Sequence, residues 1–233
     1  MYKVAPFLFI ALLITGCQVH QTNPLVTGYV RVKTLQGNGS GTVIHSWEGE
    51  DGYYSSILTA SHFILTPDNI TVNVPIFEND VEKRVERYYP AVLKEANYDL
   101  DYAILVIKTK NYIPPVRTAT RKTIRNIKIG QTAWSVGSPK GMNIWATKGV
   151  VSNIGSNETH LGHDSKIFLG NSGGPLYNSY GEQIGVNVRL SYYEAGPDAV
   201  AYLPHIAFAL RLDKVYEDLG SYKTRIYFGE EKW

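Results

Sequence analysis

The sequence predicts an all-β chain, and three observations carry that prediction. Short runs with period-2 alternation dominate from Gly28 onward, the pattern of strands with one face buried. Turn residues such as Gly37-Asn38-Gly39, Glu50-Asp51-Gly52 and Pro67-Asp68-Asn69 punctuate them. Tyrosine supplies 17 of the 233 residues, and tyrosine favours strands over helices.

Along the chain, alternating runs predict strands over residues 29–35, 41–47, 53–59 and 70–74. The charged stretch Glu78 to Arg87 reads as a solvated loop or edge hairpin. Ala103 to Lys108 is the most apolar run and reads as a strand buried on both faces. Lys110 to Arg125, with Pro114-Pro115 and many Thr, Arg and Lys, reads as a linker. Asp213 to Gly220 has helical spacing, an acidic start and a closing glycine.

The N-terminus has a separate character. Met1 to Gly16 combines a basic start, an apolar run and small residues before Cys17, which reads as a secretion signal over residues 1–16. It is too short for a comfortable membrane span. Cys17 is the only cysteine, so the folded part holds no disulfide. Residues 17–27 read as a short polar tether. A net charge of +2 supplies no field for nucleic acid, and no zinc-ligand spacing occurs.

The chemistry concentrates in Gly170-Asn171-Ser172-Gly173-Gly174-Pro175. Glycines around a serine allow a tight turn that exposes the hydroxyl and brings backbone N–H groups beside it. A chance match to this pattern has odds of about one in 10⁴ to 10⁵. A serine needs an imidazole to take its proton and a carboxylate to orient that imidazole. His62 ends an apolar strand with small residues before it, Thr59-Ala60-Ser61, leaving room for a serine and a substrate. His20, His45, His160, His163 and His205 read as surface or strand-end residues. Asp99 and Asp101 are the carboxylate candidates; on a strand they would share a face. Asp101 is favoured because it stands at the mouth of the buried run.

The order His62, Asp101, Ser172 matches chymotrypsin and differs from subtilisin and α/β-hydrolases. The blocks Thr59-Ala60-Ser61-His62, Asp101 to Leu105 and Gly170 to Leu176 resemble the chymotrypsin-fold serine endopeptidases, and in particular the bacterial HtrA/Deg branch. Gly39 to Ile44, Val136 to Gly141, Gly149 to Ser152, Asp164, Gly185 to Asn187 and Phe208 to Leu210 extend the likeness across residues 29–212.

The resemblance implies two six-stranded antiparallel Greek-key barrels with a short C-terminal helix. It places them in a protease domain over residues 28–233: a first barrel about 28–112, a second about 127–212 and a helix about 213–220. It implies Ser172 as nucleophile, His62 as general base and acid, and Asp101 as orienter. The N–H groups of Gly170 and Ser172 would form the oxyanion hole, with no metal and no cofactor. Pocket-lining residues would be Ile167, Asn187 and Ala207, with Lys166, Val188, Phe208 and Ala209 nearby. No aspartate stands where trypsin-like enzymes select Arg or Lys, so the resemblance implies small or medium apolar residues before the cut. Lys166 turned inward would select an acidic residue instead.

Other implications concern setting. Ile14-Thr15-Gly16-Cys17 resembles the bacterial lipobox, implying lipidation of Cys17 and a membrane anchor. Gln18 after it points to the outer membrane, facing the periplasm. About twenty residues follow Leu212, too few for a PDZ domain, so PDZ-mediated partners are not expected. Asn171 stands where digestive relatives have the aspartate that pairs with a freshly cut N-terminus, so the loop over residues 163–170 is expected to order without processing or to be switched by substrate. Protein or peptide substrates follow from the leading reading. An inert protease-fold binding or scaffold protein and an esterase-type hydrolase are the alternatives.

Overall fold

The computed structural model describes residues 23–78, 81–83, 87–155, 159–196 and 199–229. The signal reading, Cys17, His20 and most of the tether lie outside them. The strands are β1 (Tyr29–Lys33), β2 (Asn38–Gly49), β3 (Gly52–Thr59), β4 (Thr71–Asn73), β5 (Ile76–Glu78), β6 (Val81–Lys83), β7 (Tyr88–Asn97) and β8 (Tyr102–Thr109), then β9 (Thr132–Gly137), β10 (Trp145–Ile154), β11 (His160–His163), β12 (Pro175–Tyr177), β13 (Gln183–Gly196) and β14 (Ala199–Arg211). The described residues also hold two α-helices, α1 (Arg121–Arg125) and α2 (Leu212–Phe228), and one 3-10 turn at Pro139–Gly141.

Two sheets close on themselves. The first barrel runs β1-β2-β3-β8-β7-β4 and the second β10-β11-β14-β13-β12-β9, with antiparallel pairing throughout. This is the expected pair of six-stranded barrels. Period-2 alternation sends one set of side chains inward. Val30, Val32, Ile57, Ile104 and Leu105 in the first barrel, and Val136, Leu161, Leu176, Val186 and Leu210 in the second, are all fully buried.

Several local readings shift. Asn38 and Gly39 pair with Lys33 and Val32, so the first turn closes earlier, through Thr34 N–H to the Gly37 carbonyl at 2.9 Å. The charged stretch forms the small β5–β6 hairpin. The linker holds a short helix, α1, capped by the Thr120 hydroxyl. Helix α2 does not stop at Gly220. That residue leaves helical geometry (φ 67°), but the helix resumes and ends at left-handed Gly229. The reason is tertiary: Phe228 is buried edge-on to Tyr216, with ring centroids 4.9 Å apart. The first turn of α2 carries a buried pair, Arg211 donating two bonds to Asp213 at 2.9 and 3.0 Å.

The barrels meet along β2. Ser40 N–H donates to the Ser172 carbonyl at 2.7 Å, and the Thr42 hydroxyl to Gln183 Oε1 at 3.0 Å. Tyr216 of α2 donates to the Ala119 carbonyl of the linker at 2.9 Å. No described helix is long and apolar enough to cross a membrane.

Candidate active site

His62 lies just past the end of β3, on the turn that follows Ala60. Asp101 lies just before β8, which pairs with β3. Strand pairing thus delivers both residues to one rim. Residues 98–101 form a turn rather than a strand, and this separates the two aspartates. Asp99 is exposed, whereas Asp101 adopts a left-handed conformation (φ 63°) that turns its carboxylate toward His62. Aspartate tolerates that region better than most residues.

Asp101 Oδ2 lies 2.7 Å from His62 Nδ1. Its Oδ1 accepts the backbone N–H groups of Ser61 (3.0 Å) and His62 (2.9 Å) and the Ser61 hydroxyl (3.2 Å). Burial alone would raise this carboxyl. The hydrogen bond and charge of His62, the His62 N–H and the Ser61 hydroxyl outweigh it and hold the pKa below its usual value. An acceptor fixed on Nδ1 requires the proton there, which leaves Nε2 as the basic atom. The imidazole is 43% exposed at the seam.

Ser172 reaches the seam from the second barrel, three residues before β12. Gly173 (φ 83°) is wedged against the first barrel. A Cβ there would fall 2.2 Å from the Ser40 carbonyl and from Thr59 Oγ1, and 2.8 Å from Ala60 N, so only glycine fits. Gly39 is equally tight: its Cβ would meet the Phe63 ring at 2.4 Å and the Ser172 carbonyl at 2.9 Å. The turn that carries Ser172 therefore sits on the residues that flank His62.

The Ser172 hydroxyl makes no hydrogen bond among the described residues; such bonds often tighten only with substrate present. Neither the Gly170 nor the Ser172 N–H meets an acceptor among the described residues. Free donors two residues apart, one of them on the serine itself, are suited to an anion.

The pocket residues behave unequally. Ile167 (6% exposed) and Ala207 (1%) are buried. Asn187 turns its side chain into the barrel, donating to Ser135 Oγ (2.9 Å) and the Pro175 carbonyl (3.1 Å) and accepting from His163. Its amide is fully spent there, so the side chain itself offers no free group to a substrate. Its backbone accepts Gly173 N–H and donates to the Gly174 carbonyl, so it buttresses the turn that carries Ser172. Lys166 is exposed and does not turn inward.

His163 is not a surface residue. It ends β11 at 1% exposure, 3.0 Å from Asn187 Oδ1 through Nε2, with no partner on Nδ1. Burial pushes its pKa down to about 4. Asn171 is also buried, with Oδ1 unpartnered.

Sequence reasoning passed over Ser61, Thr59 and the supporting role of Asn187. The pattern Thr59-Ala60-Ser61-His62 contains the first two, but nothing in it announces a second set of bonds to the carboxylate.

Comparison with known proteins agrees with this geometry. Residues 39–186 match the trypsin-like peptidase domain model. A probable periplasmic serine endoprotease, DegP-like, from Pseudomonas putida strain F1 is 33% identical over 166 residues, covering 69% of this chain and 31% of the relative. The periplasmic pH-dependent serine endoprotease DegQ of Escherichia coli is 28% identical over 196 residues, covering 81% and 39%. A crystal structure of the serine endoprotease from Yersinia pestis superposes with a TM-score of 0.60 at 25% identity, covering 83% of this chain and 62% of that one. The chain spans about a third of the length of the curated relatives it matches. Two closed barrels, a histidine–aspartate pair at their seam and a family model covering well over half the sequence lead to one conclusion: the chain belongs to the trypsin-like peptidase family.

Proposed function

We propose that this chain is a serine endopeptidase that cleaves exposed or unfolded segments of other proteins in the bacterial cell envelope. The observation that carries the reading is the Asp101–His62 pair, held by three further hydrogen bonds on one carboxylate oxygen, on the chain segment whose Thr59 and Ala60 pack against Gly173 beside Ser172. In this reading His62 Nε2 takes the Ser172 proton as Oγ attacks the scissile carbonyl. The resulting oxyanion lies between the Gly170 and Ser172 N–H groups, each such donor lowering the barrier by about 3 kcal/mol. His62 then protonates the leaving amine, the acyl-enzyme forms, and water repeats the sequence to release the acid.

The residue before the cut is a small or medium apolar one. The buried Ile167 and Ala207, and the exposure of Lys166, support that choice over an acidic residue. Envelope anchoring rests on the Ile14 to Cys17 motif and on periplasmic relatives. Cys17→Ser should move the protein from the membrane to the soluble fraction.

Labelling with a fluorophosphonate and digestion of casein test the activity, with Ser172→Ala as the control. Ser172-dependent labelling and cleavage are expected. Folded protein that neither labels nor cleaves would make the chain a protease-fold binding protein. Labelling with ester but no peptide turnover would make it an esterase.

A further inference from the structure

The direction of the Gly170 N–H is fixed by its neighbours. The Leu169 carbonyl accepts from Lys140 N–H at 2.7 Å. In a planar trans peptide the carbonyl and the following N–H point opposite ways. This bond therefore turns the Gly170 N–H away from the turn at residues 138–141. The Gly170 carbonyl accepts the Ser40 hydroxyl at 2.8 Å. A Cβ on Gly170 (φ 101°) would fall 2.4 Å from the Ser138 carbonyl and 2.9 Å from Lys140 N. Gly170 is seated on the backbone of that turn, and whatever holds the turn holds Gly170.

A polar cluster from the first barrel holds it. Ser138 Oγ accepts from the Tyr29 hydroxyl at 2.7 Å and from Arg31 Nε at 2.9 Å, and Ser138 N–H donates to Ser40 Oγ at 3.2 Å. Arg31 Nη1 donates to Asn73 Oδ1 at 3.1 Å; Nη2 donates to Glu82 and to the Met142 carbonyl. The other Glu82 oxygen accepts Ile144 N–H at 2.9 Å. Glu82 of β6 thus ties Arg31 of β1 to the second-barrel segment just before β10. Both side chains are largely buried, at 17% and 9% exposure. A planar guanidinium with every arm bonded has one geometry to offer.

We propose that the Arg31–Glu82 pair is a positioning clamp for the anion-binding amide: acting through Ser138 and the turn at residues 138–141, it aims the Gly170 N–H, with the β5–β6 hairpin as its outer support. The proposal rests on the serine-peptidase reading for its catalytic consequence. Arg31 and Glu82 are positioning residues. They also line an open cleft of about 500 Å³ that reaches Gly39 and Ser138 beside the nucleophile turn, so a test must separate aiming from direct contact with substrate.

The full mature chain is compared with Glu82→Gln, which keeps shape and removes charge, and with Arg31→Met and the double variant. Peptide turnover gives kcat and KM. A peptide boronic acid, which forms a tetrahedral anion on the serine, is titrated beside a non-covalent product peptide of the same sequence. Each single variant should lower kcat and boronate affinity by about tenfold, a fraction of the loss on removing an anion-hole donor outright. KM and product-peptide affinity should stay within about twofold. The double variant should be no worse than Arg31→Met, because the two residues act as one unit.

Folded variants with unchanged kcat would overturn the clamp, as would a rise in KM with kcat intact, which marks a substrate contact. A second arm needs no turnover. With ¹⁵N-glycine labelling in the Ser172→Ala background, Glu82→Gln should shift or split the Gly170 amide resonance and leave that of Gly181, on a distant turn, in place. An unmoved Gly170 resonance refutes the clamp. A wild type without Ser172-dependent turnover refutes the peptidase reading instead.

Discussion

Acid should weaken this fold through His163, a residue that takes no part in the chemistry. Asn187 spends its amide nitrogen on Ser135 and Pro175, so its oxygen faces His163 and the ring must carry its proton on Nε2. Nδ1 is left bare with no partner. Burial, opposed only partly by Asn187, Asp164 and the Ser165 backbone, lowers the pKa to about 4 from an ordinary 6.5. Between these values the unfolded chain binds the proton and the folded chain does not, so stability is complete above about pH 6.5 and falls as pH drops toward 4. The shift corresponds to about 3 kcal/mol in full, of which about 2 kcal/mol is lost by pH 5.

The assay is urea unfolding at pH 7 and pH 5 for the wild type and for His163→Gln, which keeps a donor for Asn187 but does not titrate. The variant has its own fixed cost at both pH values. The quantity of interest is the pH-dependent loss, which should be smaller in the variant by about 2 kcal/mol. Equal losses in the two proteins would refute the reasoning.

Other outcomes follow from the same geometry. Ser172→Ala should reduce kcat by about 10⁶ without unfolding the chain, read in a peptide turnover assay with circular dichroism as control. Asp101→Asn should cost about 10⁴ in kcat because the wrong imidazole tautomer is then held, with substrate affinity unchanged. Gly173→Ala places a methyl group 2.2 Å from the Ser40 carbonyl at φ 83° and should both abolish turnover and lower the melting temperature. Asp213→Ala strands the buried Arg211 guanidinium and should destabilise the fold by about 3 kcal/mol in denaturant titration.

The parts of the fold that were legible in the sequence are those set by local pattern. Alternating runs marked β1 to β3 and the buried run marked β8, because a strand's faces are written at every second residue. The clash-limited glycines of the nucleophile turn were visible because no other residue can stand there. The separation of Asp99 from Asp101 was not, since it depends on a left-handed turn residue that spacing does not reveal. The outer reach of the β13–β14 ribbon was missed as well, because its alternation is interrupted by register shifts at residues 187–189 and 190–191. Gly220 read as a stop, and only the packing of Phe228 against Tyr216 explains why the helix continues. The burial of His163 and the inward turn of Asn187 depend on a hydrogen bond between residues 24 positions apart, so neither was legible singly.

Closure of both sheets has a bearing on the company such a molecule keeps. Each barrel strand has a partner strand on both sides, and among the described residues only the small β5–β6 hairpin and the outer stretch of β13–β14 stand outside the closed sheets. A sheet without rims gives sticky, misfolded neighbours almost nothing to zip onto. Under the proposed function, closure keeps an enzyme of unfolded segments from being drawn into pairing with its own substrates.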